Sequence, residues 1–280
     1  MSKPRVGLAL GGGGARGLAH VAVLEVFDEL GLRPCAIAGT SMGAIIGALY
    51  ASGQTGASLH ESIHELAITE SARSRLRRGA GAGWLELVRP EWEKGGMLNV
   101  ERFHDRLAGM ISAQRFEDLE IPLKVVAAAF WEREQVVLES GELLPALRAS
   151  SALPALFRPV VIDGRVLIDG GAVNPVPFDL IHDDCDITVA INVAGRPRPP
   201  RRRRAGMPTL TQALFNTFQI AQATIVQQKL ERRRPDIYIE PDIVGIRVLE
   251  FQRVDQILEQ AEPAKRQLRA ALDEVLARSA

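Results

Sequence analysis

Near its start the chain repeats one pattern twice: a short apolar strand, a glycine-containing turn and a largely apolar helix. In the first unit the strand Arg5–Leu10 leads into glycines and then into a helix predicted over Arg16–Leu30, which Gly31 ends. In the second unit the strand Cys35–Ala38 precedes a helix predicted over Met42–Ser52. Strands that alternate with helices usually pair in parallel and have helices on both faces. The pattern predicts a three-layer α/β fold around a mainly parallel central sheet.

The rest of the chain extends this fold within a single predicted domain of 280 residues. Residues 55–98 contain an arginine cluster, glycines and two tryptophans, and predict a helical cap or insertion over one end of the sheet. Residues 195–208 are rich in proline and arginine and predict a mobile basic loop. Further strands are predicted at Leu123–Phe130, Gln135–Leu138, Val160–Ile168 (a hairpin turning at Asp163-Gly164), Ile187–Val193 and Asp236–Ile239, and further helices at Thr209–Leu230 and Gln252–Ala277.

Charge and composition exclude several classes of protein. The 34 basic and 34 acidic side chains give a formal net charge of zero, so nothing favours a nucleic-acid partner. No run approaches the about 18 apolar residues that span a bilayer, and no signal-peptide core is visible, so we expect a soluble cytoplasmic protein. His60 and His64 share a helix face without a third ligand, and we expect no metal and no other cofactor. Cys35 and Cys185 begin two apolar strands and are expected to be free, buried thiols.

Ser41 lies where a catalytic serine is expected. It stands between Gly39 and Gly43 in a G-x-S-x-G sequence that joins the second strand to its helix. The flanking glycines permit a sharp turn that exposes the hydroxyl, with the helix N-terminus directly behind it. The alternative is a tight turn in which Ser41 only caps the helix.

The glycines after the first strand have two competing interpretations. Gly12, Gly14 and Gly17 fit the G-x-G-x-x-G sequence of dinucleotide-binding proteins. Such a site expects an acidic residue at the end of the next strand, and here that strand ends without one. Consecutive backbone N–H groups at a helix N-terminus also form an oxyanion hole. Because Ser41 follows the second strand, the oxyanion hole is the favoured interpretation.

Asp169 is the acid best placed to act as a general base. It follows the predicted strand Arg165–Ile168, and since Ser41 also follows a strand, the two are expected at the same edge of the sheet. An Asp-Gly pair alone is usually only a turn, so the assignment depends on its combination with the other motifs. Ser41, Asp169 and His182 also follow the chain order of an α/β-hydrolase triad, which is the alternative.

Together these motifs resemble the patatin-like phospholipase family, and most closely its bacterial branch, which is related to neuropathy-target-esterase-type enzymes. The sequences G-G-G-x-R-G, G-T-S-x-G and D-G-G occur here in the family's order. The block Ala149–Pro159 resembles a sequence that the family has just before D-G-G, and the likeness extends from Val6 to about Val193. The resemblance implies a patatin-like fold and a Ser–Asp dyad without histidine. It further implies hydrolysis of acyl esters of phospholipids, lysophospholipids or simpler lipids.

The resemblance also implies a role for each motif residue. Ser41 would be the nucleophile, and Asp169 would take its proton. An exposed aspartate is a poor base, so Asp169 is expected to be partly desolvated. Arg16 is expected to bind a substrate phosphate or, alternatively, to pack or form a salt bridge near the helix start. The N–H groups of Gly13 and Gly14, together with that of Gly12, would stabilise the oxyanion, and the remaining motif positions are Gly17, Gly39, Gly43, Gly170 and Gly171.

Two hypotheses concern partners. The four arginines Arg201–Arg204, and the arginines near Trp84 and Trp92 in the cap, suggest transient contact with an anionic membrane surface. The protein would then be peripheral at the inner membrane face.

A non-enzymatic alternative is a nucleotide-binding or scaffold module in which Ser41 is only a turn residue. Ester turnover and labelling by a serine-directed reagent would separate the two classes.

Overall fold

The computed structural model describes residues 4–65, 106, 109–154, 156–195, 207 and 210–279, and the structural statements below concern those residues. The strands are β1 (Val6–Leu10), β2 (Ile37–Thr40), β3 (Leu123–Ala129), β4 (Glu134–Leu138), β5 (Val160–Ile162), β6 (Arg165–Asp169), β7 (Ile187–Ile191) and β8 (Ile237–Ile239). The helices are α1 (His20–Glu29), α2 (Met42–Ala51), α3 (Leu143–Ser150), α4 (Leu210–Arg232) and α5 (Val254–Ser279), and residues 56–65 are also helical. Most of the predicted cap and of the predicted basic loop lies outside the described residues.

One mixed sheet forms the centre of the fold. Its strand order is β5-β6-β3-β2-β1-β7-β8, and β4 pairs with β3. The strands β3, β2, β1, β7 and β8 are parallel to one another. The strands β4, β5 and β6 are antiparallel to their neighbours. The predicted fold class, a mainly parallel sheet flanked by helices, is confirmed.

Side chains that alternate along the central strands build a core on each face of the sheet. On β1, Leu8 and Leu10 point into the larger core, which α1, α2 and α5 complete. Ala9 points to the other face, where it packs in a smaller cluster with Phe178 and with Val226 of α4. Small alanines on this second face allow the loop before β7 to pack closely. None of the helices among the described residues is long and apolar enough to cross a membrane.

The strands β2 and β6 meet end to end beside β3. Val126 of β3 pairs with Thr40, the last residue of β2, and Ala127 pairs with Asp169, the last residue of β6. The strand β4 occupies the opposite side of β3 at both positions, so β2 and β6 share one side. Because β2 is parallel and β6 antiparallel to β3, their carboxyl ends face each other. The chain must therefore leave the sheet at Ser41.

The two cysteines form a disulfide, so the expectation of free thiols is wrong. The Cα atoms of Cys35 and Cys185 are 6.4 Å apart. The two residues precede β2 and β7, which pair with opposite sides of β1. Gly7 of β1 lies between them, and a Cβ atom there would come within 2.6 Å of the Sγ atom of Cys185. The absence of a side chain at Gly7 leaves the space that the bridge crosses.

Candidate active site

Ser41 occupies the sharp turn between β2 and α2. Its backbone has φ 54° and ψ −122°, a conformation that residues with a Cβ atom rarely adopt. Its carbonyl accepts the N–H groups of Ala44 and Ile45, so the N-terminus of α2 begins directly behind the hydroxyl. The half-buried side chain points away from the helix toward Asp169. The geometry is that of the strand–turn–helix setting predicted from the sequence.

The carboxylate of Asp169 contacts the hydroxyl of Ser41 directly. The Ser41 hydroxyl donates to Oδ2 of Asp169 over 2.8 Å, and the N–H of Gly171 donates to Oδ1 over 2.7 Å. Asp169 is almost fully buried. Burial raises its pKa from 3.8 to about 6, although the two hydrogen bonds to the carboxylate act in the opposite direction. A carboxyl with this pKa is mostly ionised at neutral pH and is more basic than an exposed aspartate.

The glycine loop after β1 presents backbone N–H groups toward the same place. Within the part of the chain that the structure describes, no hydrogen-bond acceptor is within reach of the N–H of Gly13 or Gly14. The N–H of Gly12, in contrast, donates to the carbonyl of Pro175 over 3.0 Å. In this structure the N–H of Gly12 is therefore already engaged within the protein.

A buried histidine holds the start of this loop. The Nε2 atom of His20 lies 2.8 Å from the carbonyl oxygen of Gly11, which can only accept, so Nε2 bears the proton. His20 is completely buried, and desolvation lowers its pKa to about 4, so the ring is neutral at physiological pH. His20 was not predicted to take part in the site, because a histidine inside an apolar helix carries no distinguishing signal in the sequence.

The other motif glycines permit close packing around the turn. A Cβ atom at Gly43 would overlap the carbonyl oxygen of Leu10, and one at Gly170 would overlap the carbonyl oxygen of Val126. The helix α2 therefore packs against the end of β1 without a side chain between them. A Cβ atom at Gly39 would likewise overlap backbone atoms of Ala44. At Gly17 and Gly171 it would meet side chains instead, those of Met42 and Gln222.

A second set of polar residues joins the segments that hold Ser41 and Asp169. The hydroxyl of Thr40 donates to the carbonyl of Asn174 over 2.7 Å, which joins the end of β2 to the loop after Asp169. The ammonium of Lys229 on α4 bonds to the Asn174 side chain, to Asp179 and, over 2.8 Å, to the carbonyl of Val176. These residues also escaped prediction, because their contacts join segments that are distant in the sequence.

A largely apolar pocket opens above Ser41 and Asp169. Among its described lining residues, Arg16 and Asp169 are the charged ones. The guanidinium Nε of Arg16 donates to the carbonyl of Gly13 over 3.5 Å, and burial lowers its pKa. Among the described residues, no carboxylate forms an ion pair with Arg16. The apolar wall includes Met42, Ile45, Phe157, Phe215, Phe218 and Phe251.

The histidines considered from the sequence lie elsewhere. His182 is 3.2 Å from the hydroxyl of Thr188, near the amino end of β7, and makes no hydrogen bond to Ser41 or Asp169. It thus does not complete a triad. The rings of His60 and His64 contact two different carboxylates, those of Glu25 and Asp255, over 2.9 and 3.1 Å. The described residues contain no cluster of three or more His, Cys, Asp or Glu side chains suited to a metal ion.

Known proteins match the part of the chain that contains Ser41 and Asp169. A family model described as patatin-like phospholipase matches residues 8–182. An uncharacterized NTE family protein of Mycobacterium tuberculosis is 36% identical over 202 residues, which cover 72% of this chain and 52% of that protein. Lysophospholipase NTE1 of Kluyveromyces lactis is 29% identical over 194 residues, which cover 69% of this chain and 13% of that protein.

The chain thus spans about half the length of the mycobacterial relative and a smaller part of the Kluyveromyces one. Among solved structures, VipD from Legionella pneumophila aligns over 95% of this chain and 67% of its own, with a TM-score of 0.47 and 13% identity.

Proposed function

The chain belongs to the patatin-like phospholipase family, and we propose that it is a carboxylic ester hydrolase with Ser41 as nucleophile and Asp169 as general base. Its proposed substrates are acyl esters of phospholipids, lysophospholipids or related lipids, and its proposed role is lipid degradation. One observation carries the proposal: the Ser41 hydroxyl donates to the buried Asp169 carboxylate over 2.8 Å at the base of an apolar pocket. The pocket offers an acyl chain the contacts it needs.

In the proposed reaction Asp169 takes a proton from the attacking oxygen and gives it to the leaving oxygen. As Oγ of Ser41 attacks the ester carbonyl carbon, Asp169 takes the hydroxyl proton and the carbonyl oxygen becomes an oxyanion. The tetrahedral intermediate then expels the alcohol, whose oxygen receives the proton from Asp169, and an acyl-serine remains. A water molecule then attacks this ester: Asp169 takes a proton from the water and returns it to the departing Oγ of Ser41, and the fatty acid is released. No histidine is needed in either half.

We assign stabilisation of the oxyanion to the N–H groups of Gly13 and Gly14. Gly13 directly precedes the helical turn Gly14–Ala19 that leads into α1, and Gly14 is the first residue of that turn, so the positive end of the turn adds to their effect. Gly12 is left out because its N–H already donates to Pro175. The bond from His20 to Gly11 supports this assignment, since it restrains the peptide just before the donors.

Arg16 is the proposed contact for an anionic group of the substrate. Its guanidinium lines the pocket and, among the described residues, has no acidic partner to neutralise it. A phosphate diester or a fatty-acid carboxylate would supply that charge with favourable hydrogen-bond geometry. This role predicts that phospholipids are hydrolysed in preference to uncharged esters of the same chain length.

Transient contact with an anionic membrane surface stays part of the proposal. The arginines that suggested it lie outside the described residues. The apolar side chains of Leu210 and Leu214 on α4 are exposed, and Leu214 directly precedes the pocket-lining Phe215, which offers additional support. Sedimentation with anionic and neutral liposomes at low and moderate salt tests the idea. Binding that ignores lipid charge, or that is absent with both, would contradict it.

Turnover and covalent labelling together test the proposed activity. Wild-type protein is expected to hydrolyse a chromogenic short-chain ester and to be labelled at Ser41 by a fluorophosphonate, and Ser41→Ala is expected to do neither. Lipid profiling of wild type against Ser41→Ala then identifies the substrate class. A folded wild-type protein that shows neither turnover nor labelling would favour the binding-module alternative.

A further inference from the structure

One short segment holds both members of the Ser41–Asp169 pair. It begins at Ser150, the last residue of α3, and lies in the block Ala149–Pro159. The hydroxyl oxygen of Ser150 accepts the backbone N–H of Ser41 over 2.9 Å. Two residues later, the carbonyl of Ala152 accepts the backbone N–H of Asp169 over 3.0 Å. The nucleophile and its base are thus fixed to the same three residues.

The N–H of Ser41 needs an acceptor outside the sheet, because β2 ends at Thr40. Beyond Thr40 the place beside β3 is occupied by β6, so the N–H of Ser41 has left the sheet ladder. The backbone of Ser41 also has the unusual φ of 54°, which the surrounding structure must hold in place. Ser150 is fully buried, so its side chain is shielded from bulk solvent. Its hydroxyl is the acceptor that secures this turn.

The neighbouring Ser151 differs from Ser150, because its hydroxyl bonds only within its own segment. The Ser151 hydroxyl donates to the carbonyl of Leu147, one turn earlier in its own helix. That bond secures only the end of α3. Ser150 instead gives its oxygen to a different element, 109 positions away in the sequence.

We propose that Ser150 is a positioning residue: its hydroxyl fixes the Ser41 backbone so that the Ser41 side chain meets Asp169, which the Ala152 carbonyl holds from the same segment. The catalytic part of this inference rests on the proposed function of Ser41. The hydrogen bond itself does not, and it is testable separately. Misplacing a nucleophile by about 1 Å typically lowers a rate about 10²-fold.

The test compares three variants. Ser150→Ala removes the acceptor, and Ser150→Cys keeps a side chain of similar size with a weaker acceptor. Ser52→Ala is the control: it removes a serine hydroxyl from the opposite end of α2, where it donates to the carbonyl of Leu49 over 2.8 Å. Three quantities are measured: the rate of fluorophosphonate labelling, hydrogen exchange of the Ser41 amide by fragmentation mass spectrometry, and the pH dependence of labelling.

Ser150→Ala is expected to label about 10- to 100-fold more slowly than wild type and to lose protection of the Ser41 amide. Its labelling is expected to keep the inflection near pH 6, because the burial of Asp169 is unchanged. Ser150→Cys is expected to lie between Ser150→Ala and wild type, and Ser52→Ala to match wild type. A loss of fold alone would not reproduce this order.

Labelling of Ser150→Ala at the wild-type rate would overturn the proposal, as would continued protection of its Ser41 amide. If Ser150→Ala does not fold, Ser150→Cys decides, and a wild-type rate and wild-type protection for that variant would refute the role. If wild-type protein is not labelled at all, the proposed function fails instead, and amide exchange alone decides whether Ser150 holds Ser41.

Discussion

Replacing Asp169 by asparagine removes the proposed base while keeping its shape and hydrogen bonds. The amide oxygen can accept the N–H of Gly171, and the amide nitrogen can donate to the hydroxyl of Ser41, where Ser41 now donates to the carboxylate. The amide cannot take a proton, so ester hydrolysis is expected to fall on the order of 10⁴-fold, as it does when the triad aspartate of a serine protease is replaced. The same change is expected to stabilise the fold at neutral pH.

The expected gain follows from the pKa of Asp169. Burial raises this pKa from 3.8 to about 6, so the folded state binds the proton more tightly than the unfolded chain does. The stability that the protonated carboxyl contributes is complete below pH 3.8 and is lost as the pH rises through about 6. The separation of the two pKa values corresponds to about 3 kcal/mol of unfolding free energy. Asp169→Asn avoids this loss and is expected to be up to about 3 kcal/mol more stable than wild type above pH 7.

Urea unfolding at pH 4 and pH 7.5, followed by circular dichroism, measures the effect. The advantage of Asp169→Asn is expected to be near zero at pH 4 and large at pH 7.5. Asp163→Asn is the matched control, because it makes the same substitution at an exposed position in the hairpin turn. Equal or lower stability of Asp169→Asn at pH 7.5, or an advantage of the same size at pH 4, would refute burial as the cause of the raised pKa.

Ester hydrolysis by wild type is expected to rise with pH, to have its inflection near pH 6 and to level off above about pH 7, since the ionised form of Asp169 is the base; an inflection near pH 4 in stopped-assay rates would contradict this. Gly13→Ala is expected to lower kcat about 10²–10³-fold, because the new Cβ would lie 2.7 Å from Val193 and shift the donor peptide. Unchanged kcat combined with weaker nucleotide binding would revive the dinucleotide interpretation. His182→Ala is expected to keep nearly full kcat, because its ring contacts Thr188 and not the dyad; a loss of several orders of magnitude at unchanged stability would favour a triad.

The sequence predicted the local elements around the site because their signals are local. The two strand–turn–helix units and the Asp163-Gly164 hairpin appear close to where their glycines and apolar runs place them. Asp169 was expected beside Ser41 because it follows a strand, and it does lie at the carboxyl end of β6. The sequence did not show that β6 runs antiparallel to β3 and ends against the end of β2. The pairing register of two strands that are far apart in the sequence cannot be predicted from either strand alone.

Contacts between distant segments account for the rest of what was missed. The helix α3 was not predicted, because Pro145 lies inside a short apolar run, although proline is tolerated in the first turn of a helix. Its last residue, Ser150, gains significance only when the fold brings it to Ser41. The disulfide likewise depends on two strands that flank β1 and on the missing side chain of Gly7. Each of these contacts depends on which segments the fold brings together, and the hydrophobic periodicity of the sequence does not show that.

The disulfide gives the covalent structure a property that the polypeptide alone lacks. Cys35 and Cys185 are 150 positions apart, and both Ser41 and Asp169 lie inside the ring that the bridge closes. A single cleavage of the backbone anywhere within this ring leaves two fragments that are still joined to each other. Depending on the position of the cut, Ser41 and Asp169 then reside on different peptides held by one sulfur–sulfur bond. On a denaturing gel, such a nicked protein would migrate as one species without reductant, and the fragment with Ser41 would separate from the fragment with Asp169 only when the bridge is reduced.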